Sequence, residues 1–224
     1  MEIEYSLQRG VSLAEKIIEF WAELSNRYDS AIDNIMGDKI RPKIMERLNK
    51  EDNLGNLIEL GCGTGYFTKK LADESESIIS TDISEEMLSI AMENLKEFEF
   101  QIMDCQDCKF DGETFDTVFM GLVLLFTEPE KAIKESRRIL KHGGLLIIAD
   151  PDISFLSFYG NLNFRFKALL NYHKIPTTGH FLNQKKIMDM LDKTGFEVVS
   201  QEIIRDDYDP NYVTVNYIKA ITKK

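Results

Sequence analysis

Three glycines stand at alternate positions, Gly61, Gly63 and Gly65, in the segment LIELGCGTG (57–65), where an apolar strand-like run gives way to a helical one. Glycine removes the Cβ where a chain must turn tightly or where its backbone must touch a ligand. A dinucleotide fingerprint, G-x-G-x-x-G, would place its third glycine at 66, and this chain has Tyr66 there, which speaks against a nicotinamide enzyme. Downstream, Asp82 closes the run STDIS and Asp104 closes QIMDC. A carboxylate at the strand end following such a loop can accept both hydroxyls of a ribose. Taken singly, each aspartate serves equally well as a helix cap or a turn residue. Taken together, three successive strand ends meet at one edge of a parallel sheet, the edge where such folds bind ligands.

The elements that must position these residues follow from periodicity. From residue 57, short β runs alternate with helical stretches: LIEL, a helix from Thr64, SIIST, a helix from Ser84, FEFQIM, DTVFMGL, a helix from Glu128, and GLLIIAD. That alternation predicts parallel strands joined by right-handed crossovers. A helix over 183–194 ends at Gly195, and FEVVSQEIIR and YVTVNYIKAI flank the turn-forming DDYDPN, so the tail reads as an antiparallel hairpin closing the sheet's edge. Before the sheet, Val11, Ala14, Ile17 or Ile18, Trp21 and Leu24, then Ile32, Ile35, Met36, Ile40, Ile44 and Leu48, recur at helical spacing. Residues 1–50 are therefore expected to form a helical flap, and residues 51–224 a single α/β domain. Within that domain, 151–182 is an aromatic-rich insert carrying Phe155, Phe158, Tyr159, Phe164, Phe166, Tyr172 and Phe181.

Composition narrows the partners. With 224 residues, 43% hydrophobic and 29% charged, the chain can bury a substantial core without staples. Its net charge of −11 sets a mean field that repels nucleic acid and anionic membrane surfaces, so a small or cationic ligand suits it better. Three cysteines cannot all pair, no apolar run approaches the length of a membrane helix, and no signal core opens the chain. A reduced, cytoplasmic setting is expected, with no membrane and no nucleic acid partner.

The segments LIELGCGTG (57–65), TDISEEMLSIA (81–91), FDTVF (115–119) and ILKHGGLLIIA (139–149) resemble successive motifs of the class I S-adenosylmethionine-dependent methyltransferases. The likeness is to the small-molecule branch typified by quinone-biosynthesis C-methyltransferases. It implies a Rossmann-like methyltransferase fold with a mostly parallel seven-stranded sheet, with S-adenosylmethionine as cofactor. It further implies that Glu59 and the backbone of Gly61 and Gly63 hold the methionine end of the cofactor, with Gly65 also among the cofactor-binding residues. Asp82 would take the ribose, Ile83 or Met87 would pack near the adenine, and Asp104 with the Cys105 amide would address the adenine edge. Tyr28 resembles a flap aromatic lying over the methionine carboxylate.

Methyl transfer from a sulfonium is an in-line displacement that needs alignment and a deprotonated or lone-pair nucleophile, with a base only for a protonated acceptor. The stretch 123–126 replaces one that carries a histidine in many relatives, so no base is inherited. Candidates by position are Asp150 and Asp152 after the fifth strand and His173 and His180 in the insert, with Met120 and Gly121 at the fourth-strand exit. Packing competes with each of these roles. Cys105 and Cys108 form a C-x-x-C without a second ligand pair, so no metal is expected. The expected function is methyl transfer to a small-molecule acceptor. An RNA- or protein-directed methyltransferase using the basic face Lys131, Lys134, Arg137, Arg138 and Lys141 is one alternative, and a non-catalytic S-adenosylmethionine-binding regulatory protein is another.

Overall fold

The computed structural model describes residues 13–172, 181–206 and 213–223. Five parallel strands, β1 (Asn56–Leu60), β2 (Ser77–Asp82), β3 (Glu99–Ile102), β4 (Phe115–Gly121) and β5 (Leu140–Asp152), are followed by β6 (Phe196–Ile204) and β7 (Thr214–Thr222). The sheet order is β3-β2-β1-β4-β5-β7-β6, and β7 runs antiparallel to both neighbours. The expected hairpin is present, with β7 rather than β6 inserted against β5. The sheet order reverses between β1 and β4, which opens a crevice beyond their carboxyl ends.

Eight α-helices cover the described parts of the sheet: α1 (Leu13–Leu24), α2 (Tyr28–Met36), α3 (Ile40–Leu48), α4 (Thr68–Asp73), α5 (Glu85–Asn94), α6 (Pro129–Ile139), α7 (Phe158–Tyr172) and α8 (Gln184–Lys193). Two helices start where expected, and caps set both starts: Ser84 Oγ accepts from the Met87 amide, and the Asn183 side chain accepts from the Lys186 amide. The helix expected from Thr64 begins instead at Thr68. Gly61, Gly63 and Gly65 all take positive φ, and the chain spends 63–67 in turns closed by Gly65 N to Cys62 O, 3.0 Å, and Thr68 N to Gly65 O, 3.3 Å.

Strand alternation sorts the core into two layers. Leu57, Phe119, Ile147, Ala149, Val215 and Tyr217 pack with the flap helices and with Phe164, Ala168 and Tyr172 of α7. Ile58, Leu60, Val118, Met120, Leu146, Ile148 and Ile218 pack with α6 and α8 on the other face. The flap is continuous with the first layer rather than hinged off it. Glu51 fastens its end to β7, accepting from Tyr217 Oη at 3.1 Å, Lys219 Nζ at 2.5 Å and Arg47 Nη1 at 2.6 Å.

Candidate active site

The glycine loop is built around close approaches. At Gly61, φ is +75° and a Cβ would fall 2.4 Å from Val123 Cγ2; at Gly65, φ is +83° and a Cβ would fall 2.8 Å from Leu95 Cδ1. A side chain at either position is excluded by both backbone conformation and space. The two glycines differ in purpose: Gly61 faces a cavity, and Gly65 lets the loop pack on α5. Beneath the loop, the buried Glu59 accepts through Oε2 from Thr68 Oγ1 at 2.6 Å and Ser80 Oγ at 2.8 Å. Burial pushes its carboxyl up to about 7, against the opposing effect of those two hydrogen bonds. Glu59 thus braces the loop from below, and it does not line the cavity.

Beyond the strand ends lies a cavity of about 380 Å³. The sequence-derived residues Tyr28, Gly61, Gly63, Asp82, Ile83, Met87, Asp104 and Cys105 all line it. Asp82 Oδ2 accepts from the Gly63 amide at 2.8 Å and Oδ1 from the Ser84 amide at 3.0 Å. Burial raises its carboxyl above the usual range, opposed by the amides of Ser84, Gly63 and Ile83. Asp104 Oδ1 accepts from the Gln106 amide at 2.9 Å, fixing the turn after β3. The Tyr28 ring stands over the loop, its Cε1 3.5 Å from where a Gly63 Cβ would be. Burial holds the Cys105 thiol well above its ordinary value, as befits a packing cysteine.

The flap and the stretch after β4 supply the second wall. Leu122, Val123 and Phe126 after β4, and Ile17 and Trp21 from α1, complete the cavity, together with Gln106, Asp107, Thr127, Glu128 and Lys131. Phe126 and Tyr28 both meet Trp21 edge to face, at 4.6 and 5.9 Å between centroids. Leu122 takes φ +64°, a left-handed conformation held by its amide donating to Ala149 O at 2.8 Å. The strand-end rule that singled out Asp82 and Asp104 would have pointed to 122–126 as well.

Several expected site residues lie away from the cavity. Met120 is wholly buried on the opposite face, its thioether 3.6 Å from Ser136 Oγ, because the inward Phe119 turns its neighbour away. Asp150 is likewise wholly buried behind Ala149 and does not line the cavity. Neither carboxyl oxygen has a hydrogen-bond partner. Burial pushes this carboxyl up to about 8, opposed by the adjacent backbone amides of Leu125, Leu124 and Val123. Asp152 is also buried and is engaged by Ser154 N and Asn216 Nδ2. Gly65 packs on α5 and does not line the cavity. His173 and His180 lie outside the described residues. Among the described residues, no cluster of His, Cys, Asp and Glu has metal-binding geometry, and Cys62, Cys105 and Cys108 are free thiols.

Along the sheet edge the cavity runs from an acidic end, with Asp104 and Asp107 after β3 and Asp82 after β2, to an apolar end at β4. A glycine cradle, a ribose-competent carboxylate and acidic surroundings suit a nucleoside that carries positive charge, which S-adenosylmethionine does. These features define a nucleoside-binding protein of the doubly wound class. A family model described as a methyltransferase domain matches residues 58–148. The chain is 32% identical over 174 residues to an uncharacterized protein of Methanocaldococcus jannaschii, covering 77% of this chain and 78% of that one. It is 28% identical over 214 residues to the demethylmenaquinone methyltransferase of Lactococcus lactis, covering 84% of each. A SAM-dependent methyltransferase of Thermotoga maritima shares its fold, with a TM-score of 0.71 at 24% identity over 93% of this chain and 100% of that one. The chain belongs to the class I S-adenosylmethionine-dependent methyltransferases.

Proposed function

We propose that this enzyme methylates a small molecule with an apolar body, received at the β4 end of the cavity. The observation that carries this is the apolar wall there: Ile17, Trp21, Leu122, Val123 and Phe126 converge beside Gly61 and Tyr28. The demethylmenaquinone methyltransferase of Lactococcus lactis, whose acceptor is a quinone, supports this reading.

When bound, S-adenosylmethionine supplies a methyl group already activated on a sulfonium. The chain's part is placement. The Gly61 and Gly63 backbone with Tyr28 would hold the methionine portion, Asp82 the ribose hydroxyls, and Ile83, Met87, Asp104 and Cys105 the adenine. Trp21 and Phe126 would press the acceptor toward the loop and exclude water. Alignment of this kind is worth effective molarities of about 10⁵ to 10⁸ M. Among the described residues no His lines the cavity, and Asp82, Asp104 and Asp107 lie toward its acidic end, which favours an acceptor whose nucleophilic lone pair is available or easily freed.

The test supplies S-adenosylmethionine with separate panels of quinols and phenols, amines, transfer RNA and protein, and follows S-adenosylhomocysteine release by mass spectrometry. Turnover with a ring-bearing small acceptor, lost in Trp21→Ala, is expected. Methyl incorporation confined to RNA or protein would overturn the reading.

A further inference from the structure

We propose that the outer face of α7 is a docking surface for a phospholipid bilayer carrying anionic headgroups, with the helix lying in the plane of the membrane. Phe158, Tyr159, Leu162, Phe166, Leu169 and Leu170 are each 55% exposed or more. At about 100° per residue they occupy a stripe about 120° wide. Gly160, Phe164, Ala168 and Tyr172, on the reverse side, are the residues buried against the flap. The helix is therefore apolar on two opposed faces, and among the described residues only one of them is packed into the core. Six large apolar side chains in one stripe exceed the scattered exposure normal for a soluble surface.

Charge identifies the occupant. Arg165 and Lys167 border the stripe on its two sides, where long cationic side chains reach headgroups while the apolar face enters the acyl boundary. Residues 153–172 contain Arg165 and Lys167 and no Asp or Glu, in a chain whose net charge is −11. The net charge of the chain disfavours anionic lipid, whereas this segment carries no acidic residue to oppose it. A two-fold pairing of α7 with a second copy would instead set these cations against their own counterparts.

Place in the fold adds a consequence. The inner face of α7 meets α1 through Tyr172 and Phe20, 5.6 Å between ring centroids, and Phe20 touches Trp21 at 4.8 Å. A bilayer on the outer face would lie one helix away from the flap that closes the cavity. The docking surface stands independently of which acceptor is methylated.

Co-sedimentation with vesicles of equimolar phosphatidylcholine and phosphatidylglycerol tests it, with pure phosphatidylcholine vesicles alongside. The wild type is expected to partition onto the mixed vesicles at least about tenfold more strongly than onto the neutral ones. A Leu162→Asp, Phe166→Asp double variant should lose at least about tenfold on the mixed vesicles. Met92→Asp, on an exposed site of α5, should bind as the wild type does. S-adenosylhomocysteine titration should be unchanged in all of them, which separates failure of this proposal from failure of the methyltransferase site. Should the double variant fail to fold, Arg165→Glu, Lys167→Glu removes the cationic borders alone and should also abolish preference for the mixed vesicles. Wild-type protein left in the supernatant, variants that bind undiminished, or a concentration-dependent dimer abolished by the same changes without vesicle binding would each overturn the proposal.

Discussion

The backbone amide of Gly63 donates to Asp82 Oδ2 at 2.8 Å, so the middle of the glycine loop and the end of β2 form one unit. Asp82 therefore does two things that its position in the sequence suggested only one of: it presents a carboxylate to the cavity, and it sets the curvature of the loop beside it.

Asp82→Ala should for that reason reduce S-adenosylhomocysteine affinity tens- to thousands-fold, the range expected on losing two charge-assisted hydrogen bonds of about 1.5 to 3 kcal/mol each. It should also lower the melting temperature, because the Gly63 and Ser84 amides lose their acceptor. Calorimetric titration and thermal unfolding read the two effects separately. Unchanged affinity with a lowered melting temperature would reduce Asp82 to a loop brace.

Gly61→Ala should be severe for two separable reasons. Its Cβ would meet Val123 Cγ2 at 2.4 Å, and the residue holds φ +75°. The left-handed backbone costs a non-glycine residue about 1 to 2 kcal/mol, and the clash adds to it. Val123→Ala removes the clash and leaves the backbone cost. The double variant is thus expected to recover part of the stability lost in Gly61→Ala, and a double-mutant cycle without coupling would show the two residues to be independent.

Much of this arrangement was legible in the sequence because it rests on local rules. The helix starts at Ser84 and Asn183 and the β-α alternation each act within a few residues and yield elements where expected, while the glycine loop delays its helix to Thr68. What was not legible depends on which face a side chain takes at a strand's end. Met120 and Asp150 sit at strand ends, as the site requires, yet each follows an inward residue, Phe119 or Ala149, and so points to the opposite layer. Trp21 read as helix core, and it is buried, but whether a buried aromatic also walls a cavity depends on Phe126 more than a hundred residues away.

Arg41 ties the flap to the loop. Its guanidinium is 4% exposed and gives Asp33 two hydrogen bonds, Nε to Oδ1 at 2.8 Å and Nη2 to Oδ2 at 2.7 Å. It also pairs with Asp29, whose carboxylate accepts from Thr64 Oγ1 at 3.1 Å, and it lies 4.1 Å from the centre of the Tyr66 ring. Arg41→Ala should cost about 2 to 3 kcal/mol, less than the roughly 3 to 5 kcal/mol for breaking a fully buried pair, because Asp29 and Asp33 remain 51% and 34% exposed. Arg41→Lys should rescue only part of this, since an ammonium cannot hold Asp33 at both oxygens. Denaturant titration decides it, and full rescue by lysine would mean that charge alone matters.

Asp150 gives the protein a signature in pH. Its carboxyl is pushed by burial up to about 8, whereas in the unfolded chain it titrates near the ordinary aspartate value of about 3.9. Between those values the folded state holds a proton that the unfolded state has released, so stability falls as pH rises. The contribution is fully present below pH about 4 and is lost progressively as pH approaches and passes about 8. Glu59, pushed up to about 7, acts in the same direction over a narrower window. Asp150→Asn replaces the protonated carboxyl with a neutral group of similar shape, so it should remove most of the fall while leaving stability near pH 5 within about 1 to 2 kcal/mol of wild type. Melting temperatures of both proteins measured across this range make the comparison. If the variant declines with pH as steeply as the wild type, Asp150 is ionised in the fold and the fall with pH has another source, Glu59 being the other carboxyl that burial raises.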